Sequence, residues 1–160
     1  MRRQTGFSLI ELLIVVAIIL VIAAMSVPNL IKSRLAVNEA SAVSSLRSIN
    51  TAQTTYSISY PLAGYADNLA KLGAPAAGAP VSLNNAGLLD WVLGCAAQPC
   101  QKSGYTFAIV NPVGNPVSAY QTTGTPVTPG TTGIRGFCGS NASTISYDPN
   151  GGVNCTTQIQ

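Results

Sequence analysis

The hydrophobic and polar positions divide the chain into segments of different character. The 21 residues from Phe7 to Val27 are almost all apolar, and as an α-helix they rise roughly 31 Å, about one hydrocarbon thickness. Residues 29–60 contain neither Pro nor Gly, and their apolar side chains recur at the spacing of one buried helical face. These side chains are Leu35, Ala42, Leu46, Ile49, Tyr56 and Tyr60.

Pro28 lies where these two segments meet. It has no N–H group and its ring clashes with the preceding turn, so a helix either ends or kinks there. Because a helical pattern resumes at once, the sequence predicts one helix from near Phe7 to near Tyr60, kinked around Pro28 and ended by Pro61. The polar face of its second half holds Asn38, Glu39, Ser41, Ser45, Arg47, Ser48 and Thr55.

Residues 61–160 are predicted to form a globular head. Its first part, 61–104, is a connecting region rich in Gly and Pro, with possible helical turns at 67–72 and 88–93. Trp91 lies in the second turn and is expected to pack into the head.

The second part of the head, 105–160, has the alternation of β-strands. Strands are predicted at 105–110, 117–122, 133–138 and 143–147, and the 122–132 stretch is predicted to be a surface loop. The expected fold class is α+β: a long kinked helix, with a transmembrane half and an amphipathic half, packed against a small antiparallel sheet of three or four strands.

Four cysteines lie in the C-terminal half, at Cys95, Cys100, Cys138 and Cys155. An even number in a chain with an export-type N-terminus predicts two disulfides formed in an oxidising compartment. Pairing of sequence neighbours, Cys95 with Cys100 and Cys138 with Cys155, is favoured, and the other two connectivities stay open.

The composition argues against catalysis and against a cofactor. The chain has no His, which removes the commonest general base and zinc ligand, and only 8% of its residues are charged. Asp148-Pro-Asn-Gly-Gly152 offers oxygen ligands for calcium, but one Asp supplies little charge, so a turn is predicted and no metal is expected. The net charge of +3 includes Arg2 and Arg3, so no basic face for nucleic acid is predicted.

Glu11 is the feature of the apolar run that needs explaining. A carboxylate inside a membrane span is costly unless it is paired, so it indicates a function. A secretory signal peptide, a simple membrane anchor and a buried core helix are the alternatives, and none of them accounts for this residue.

The sequence Gly6-Phe7-Ser8-Leu9-Ile10-Glu11 resembles the processing motif of type IV prepilins, which type II secretion pseudopilins share. The resemblance is strong from Thr5 to about Leu30 and becomes faint after Tyr60. It implies that prepilin peptidase removes residues 1–6 by cleaving after Gly6, and that the new amine of Phe7 is methylated. It also implies that Glu11 pairs with the Phe7 amine of a neighbouring subunit and so fixes the register between subunits.

The same resemblance implies a domain organisation and a function. Residues 7–28 would be the transmembrane and filament-core helix, 29–60 the amphipathic half and 61–160 the head. A major pilin of this kind waits in the bacterial inner membrane, is polymerised by the pilus assembly machinery into a helical homopolymer, and becomes an extracellular filament for adhesion, twitching motility or DNA uptake. The alternatives are a pseudopilin of type II secretion and a membrane-tethered binding module that does not polymerise.

Overall fold

The computed structural model describes residues 7–159, apart from the side chain of Pro28. It contains one long helix, α1 (Leu9–Ser59, 51 residues), followed by a six-stranded antiparallel sheet. The chain divides into two compact units, one up to Arg34 and one from Leu35 onward. The predicted α+β class, with its N-terminal helix and small antiparallel sheet, is therefore confirmed.

Helix α1 begins two residues after Phe7 and ends one residue before Tyr60, close to both predicted limits. The Tyr60 N–H still donates to the carbonyl of Tyr56 at 2.8 Å, but Pro61 has no N–H with which to continue the ladder. The helix passes through residue 28 without a break, and the kink expected at Pro28 stays a prediction.

The second half of α1 supplies one side of the core of the second unit. Ala42, Leu46, Ile49 and Tyr56 are fully buried, while Leu35 and Tyr60 are half-buried, as the apolar spacing predicts. Complete burial of a side chain such as Leu46 is worth about 1.5–3 kcal/mol relative to exposure, so this stripe holds the helix in the head.

The sheet is a meander in which every strand pairs with its neighbour in the chain. The spatial order is the chain order, and each pair is antiparallel. The strands are β1 (Cys100–Lys102), β2 (Tyr105–Val113), β3 (Ala119–Pro126), β4 (Gly136–Ser140), β5 (Ile145–Asp148) and β6 (Thr157–Gln158). Alternate residues of β2, namely Tyr105, Phe107 and Ile109, are buried in the core that also contains the α1 stripe.

The number of strands differs from the prediction. The four predicted strands are present as β2 to β5, but β1 has three residues and β6 has two, which is too short for alternation to show in the sequence. Strand β3 also extends to Pro126, into the stretch expected to be a loop.

Of the two expected helical turns, the first is present as α2 (Leu69–Leu72), where the Asn68 side chain accepts a hydrogen bond from the Lys71 N–H at 3.0 Å. The second, at 88–93, is an irregular loop and turn.

One edge of the sheet is completed by a side chain. Strand β1 pairs only with residues 105–107 of β2, and beyond it the Gln98 amide takes over. Its Nε2 donates to the Ile109 carbonyl at 2.9 Å, and its Oε1 accepts from the Ile109 N–H at 3.1 Å. Gln98 therefore satisfies both backbone groups of Ile109, as a residue of a neighbouring strand would.

Candidate functional site

The N-terminal part of α1 exposes a continuous apolar surface. Every described side chain from residue 7 to residue 34 is exposed, and Leu9, for example, is 80% exposed. An 18-residue window of this helix has a mean hydropathy of 3.0, with none of it buried within the chain. By length and composition the helix is able to cross a membrane. Exposed apolar surfaces of this kind are typical of sites that contact a membrane or another protein.

Glu11 caps the beginning of this helix. Its Oε2 accepts a hydrogen bond from the Ser8 backbone N–H at 3.2 Å, the geometry of the glutamate in an S-x-x-E capping box. This satisfies one of the N–H groups that a helix leaves free at its N-terminus and places negative charge at the positive end of the dipole. The carboxylate therefore has a role within the single chain before any neighbour contributes.

The structure describes only part of the predicted processing motif. Phe7 is described and is 78% exposed, whereas Gly6 and the leader 1–6 lie outside the described residues. Cleavage after Gly6, methylation of Phe7 and the pairing of Glu11 with another subunit's amine stay predictions.

Polar residues reappear at the C-terminal end of the apolar surface. The hydroxyls of Ser26 and Ser33 donate to helix carbonyls four residues earlier, at 2.9 and 3.0 Å, so they are satisfied within α1. Lys32 and Arg34 are exposed, and neither contacts a carboxylate among residues 7–159.

Glu39 joins α1 to the head through a buried carboxylate. Its Oε1 accepts from the backbone N–H groups of Ile134 and Arg135 at 3.0 and 3.1 Å. Its Oε2 accepts from Nε of Arg135 at 2.8 Å and lies 2.7 Å from the Nη2 of the same guanidinium. Glu39 was expected on the polar face, but the residue is only 8% exposed, and Ser45 from the same face is buried as well.

Electrostatics and packing reinforce this junction. Burial on its own raises the pKa of Glu39, but the hydrogen bonds from Ile134 and Arg135 together outweigh it, and the pKa is lowered from 4.5. The Arg135 guanidinium also lies 5.7 Å from the ring centre of Phe137 and 5.3 Å from that of Tyr147. These contacts hold the cation in place over two aromatic side chains.

A second buried polar group joins α1 to the loop that follows it. Gln53 is fully buried, and its amide both donates to the Ala66 carbonyl and accepts from the Ala66 N–H, each at 2.8 Å. Glu39 and Gln53 are 14 residues apart, so they attach the helix to the head at two levels about 21 Å apart.

The structure contains the disulfides Cys95–Cys100 and Cys138–Cys155, the pairing of sequence neighbours. The second joins β4 to the last segment of the chain. In the loop that it closes, Asp148 accepts hydrogen bonds from the N–H groups of Asn150 and Asn154 at 2.9 and 3.1 Å, so this carboxylate closes a turn. Among residues 7–159 there is no cluster of three His, Cys, Asp or Glu side chains that could hold a metal ion.

Trp91 does not pack into the head, so that prediction is wrong. Its side chain is 80% exposed, while Leu89 and Leu93 on either side are buried. The segment forms a turn in place of the expected helical turn, and the Asp90 carboxylate stabilises it by accepting from the Leu93 N–H at 2.7 Å. In this turn the two leucines lie in the core and Trp91 is left in solvent.

Sequence reasoning missed Glu39 and Gln53 as junction residues, although a signal was present. Both fall on the spacing of the buried stripe, which runs through positions 35, 39, 42, 46, 49, 53, 56 and 60 in alternating steps of four and three. A polar residue at such a position either shows that the stripe is not buried there or is itself buried and hydrogen-bonded. Glu39 and Gln53 are both buried and hydrogen-bonded.

Comparison with known proteins gives one family match and two similar relatives. Residues 1–27 match the family described as the prokaryotic N-terminal methylation motif. The type IV major pilin protein PilA of Myxococcus xanthus is 44% identical over 54 residues, which are 34% of this chain and 24% of that protein. The type IV wide pilus major component PilA4 of Thermus thermophilus is 54% identical over 39 residues, 24% of this chain and 30% of that protein.

The chain thus spans less than a third of the length of either relative. No solved structure matches it significantly. The family match, over residues 1–27, lies wholly before the head.

Proposed function

We propose that the chain is a structural subunit that polymerises into a surface filament, because residues 1–27 match the prokaryotic N-terminal methylation motif and part of the chain is similar to two type IV pilins. The observation that carries this proposal is the exposed, largely apolar surface of residues 7–27, in which Glu11 is the one charged residue. In a monomer this surface is covered by lipid, and in a filament by the same helix of other subunits.

Polymerisation replaces helix–lipid contacts with helix–helix contacts, which differ little in hydrophobic free energy. A specific interaction is therefore needed to select one register among many. We propose that the Glu11 carboxylate supplies it by pairing with the amine of Phe7 on a neighbouring subunit. The hydrogen bond from Ser8 already holds this carboxylate at the helix N-terminus, close in sequence to the amine that cleavage after Gly6 would create.

The head has the features expected of a part that remains exposed outside the cell. It has two disulfides and two buried side-chain junctions to α1. We propose that prepilin peptidase processes the chain, that it waits in the inner membrane with its head outside the cytoplasm, and that the assembly machinery then moves it into the filament. Adhesion, twitching motility and DNA uptake are the uses that such a filament serves.

Mass spectrometry of filaments sheared from the cell surface tests this proposal. We expect the chain to dominate that fraction and to begin at N-methylated Phe7. A chain processed at Phe7 but absent from sheared material would favour a type II secretion pseudopilin instead, and a start at Met1 or near Ser26 would contradict processing at this motif.

Substitution of Glu11 separates polymerisation from simple tethering. Glu11→Gln keeps an acceptor for the Ser8 N–H and removes the charge, so we expect normal membrane levels and loss of filaments. Asp67→Asn is a matched control, because it removes one partly exposed carboxylate of the head, which pairs with Lys71 four residues later. Normal filaments in the Glu11→Gln strain would favour a tethered module that does not polymerise.

A further inference from the structure

We propose that Lys32 and Arg34 bind the phosphate groups of anionic phospholipids, in the leaflet at the C-terminal end of the membrane span. By doing so they fix the depth of α1 in the bilayer before assembly. This inference rests on the proposed function, because it requires that residues 12–31 span a membrane.

The spacing of charges along α1 matches the thickness of a bilayer. The 20 residues from Leu12 to Ile31 carry no charge, and as a helix they rise roughly 30 Å, the thickness of the hydrocarbon core. Glu11 and Lys32 therefore bracket the apolar span at its two ends. When Lys32 is at the phosphates of one leaflet, Glu11 reaches the opposite interface, where its carboxylate stays hydrated and avoids the cost of the hydrocarbon.

The two cations have no anionic partner within the described chain. Both are exposed, and the ion pairs of residues 7–159 use other cations: Arg135 with Glu39, Lys71 with Asp67 and Lys102 with Asp90. Asp148 is buried and accepts hydrogen bonds from backbone N–H groups, and Glu11 lies at the opposite end of the span. Residues 7–159 therefore supply no anion to Lys32 and Arg34, which leaves both side chains open to an external anion.

Lipid phosphate is the anion that this position offers. Long Lys and Arg side chains at the end of a span lay their methylene stems along apolar surface and extend the charged head to the interface. The nearby hydroxyls of Ser26 and Ser33 donate to helix carbonyls, so their hydrogens are already used within α1. The charged side chains of Lys32 and Arg34 are therefore the groups at this end of the span that can bind a lipid phosphate. Each Lys or Arg beside an anionic membrane surface contributes about a fivefold preference, so the pair predicts a preference on the order of 25-fold.

Brominated-lipid quenching of a single tryptophan tests the preference directly. The processed full-length chain carries Leu30→Trp in a Trp91→Phe background, which leaves one reporter two residues before Lys32. Leu30 and Trp91 are both exposed, so neither change disturbs the core. The vesicles contain equal phosphatidylcholine and phosphatidylglycerol, and one of the two lipids is brominated at a time. We expect phosphatidylglycerol to quench far more strongly at low salt, and less so in concentrated salt.

The double substitution Lys32→Gln with Arg34→Gln is expected to bring the quenching ratio close to one. Arg47→Gln is the matched control, since it removes one exposed cation from the same helix beyond the span and is expected to leave the ratio unchanged.

The inference would be overturned if the two brominated lipids quenched the parent equally. It would also be overturned if the double substitution left the quenching ratio unchanged, or if Arg47→Gln lowered that ratio as much as the double substitution does. Quenching by neither lipid would overturn the membrane insertion on which the proposed function also depends.

Discussion

Removal of the Glu39 carboxylate is expected to destabilise the head strongly. In Glu39→Ala the N–H groups of Ile134 and Arg135 lose their acceptor, at a cost of about 1 kcal/mol each or somewhat more. The Arg135 side chain is 44% exposed, so loss of the screened ion pair adds only about 1 kcal/mol. The free energy of unfolding should therefore fall by about 3 kcal/mol. Glu39→Gln keeps an oxygen for the N–H groups and should cost about 1 kcal/mol.

Urea unfolding of the full-length chain in detergent micelles measures these losses. The near-ultraviolet circular dichroism of the buried tyrosines Tyr56, Tyr105 and Tyr120 reports the packing of the head, whereas exposed Trp91 reports little. Asp67→Asn serves as the control, because its i,i+4 pair with Lys71 is partly exposed and is worth under about 0.5 kcal/mol. Equal stability of Glu39→Ala and this control would refute the reasoning.

The same residue predicts how stability depends on pH. The pKa of Glu39 is lower in the folded chain than its ordinary value of 4.5, so the folded state binds the proton less readily than the unfolded state. Its contribution is therefore fully present well above pH 4.5 and is lost as the pH falls below that value through the folded pKa. Glu39→Gln should remove this part of the acid destabilisation, and an unchanged acid profile would contradict the assignment.

Three further substitutions test other parts of the head. Gln53→Leu leaves both backbone groups of Ala66 unpaired in the core and should cost about 2–4 kcal/mol, measured by the same urea titration. Cys138→Ser with Cys155→Ser opens a loop with a sequence separation of 17 and should cost about 3 kcal/mol; a loss below 1 kcal/mol would indicate that the loop is held mainly by its hydrogen bonds. Trp91→Ala should change stability by less than about 0.5 kcal/mol, because the side chain is in solvent; a larger loss would mean that Trp91 packs in solution.

The elements with strong periodicity could be predicted from the sequence. The limits of α1 follow from an apolar run, a continuing stripe and Pro61, and these are local signals. Strand β2 could be predicted for the same reason, because Tyr105–Val110 alternates clearly, and the strand predicted at 117–122 overlaps β3. The short edge strands β1 and β6 could not be found in this way, since two or three residues carry no period.

The polar contacts of the head depend on partners that are distant in the sequence. Glu39 meets Arg135 across 96 positions, and no local rule connects the two. The exposure of Trp91 was missed for a related reason: a Trp between leucines suggests a core position, and only the turn capped by Asp90 directs it outward. At the candidate site, the sequence motif around Glu11 was enough to identify the N-terminal segment. The hydrogen bond from the Ser8 N–H to the Glu11 carboxylate is seen only in the structure.

The Gln98 side chain covers part of the open edge of strand β2, which would matter in the filament proposed above. In a polymer, many identical heads stand side by side, and an open strand edge on each would invite strand addition between neighbours and amyloid-like aggregation. Here the outer strands β1 and β6 are two or three residues long, and Gln98 occupies the backbone groups of Ile109 that β1 leaves free. The head is therefore a poor template for cross-subunit β-pairing, and replacement of Gln98 is expected to weaken that protection.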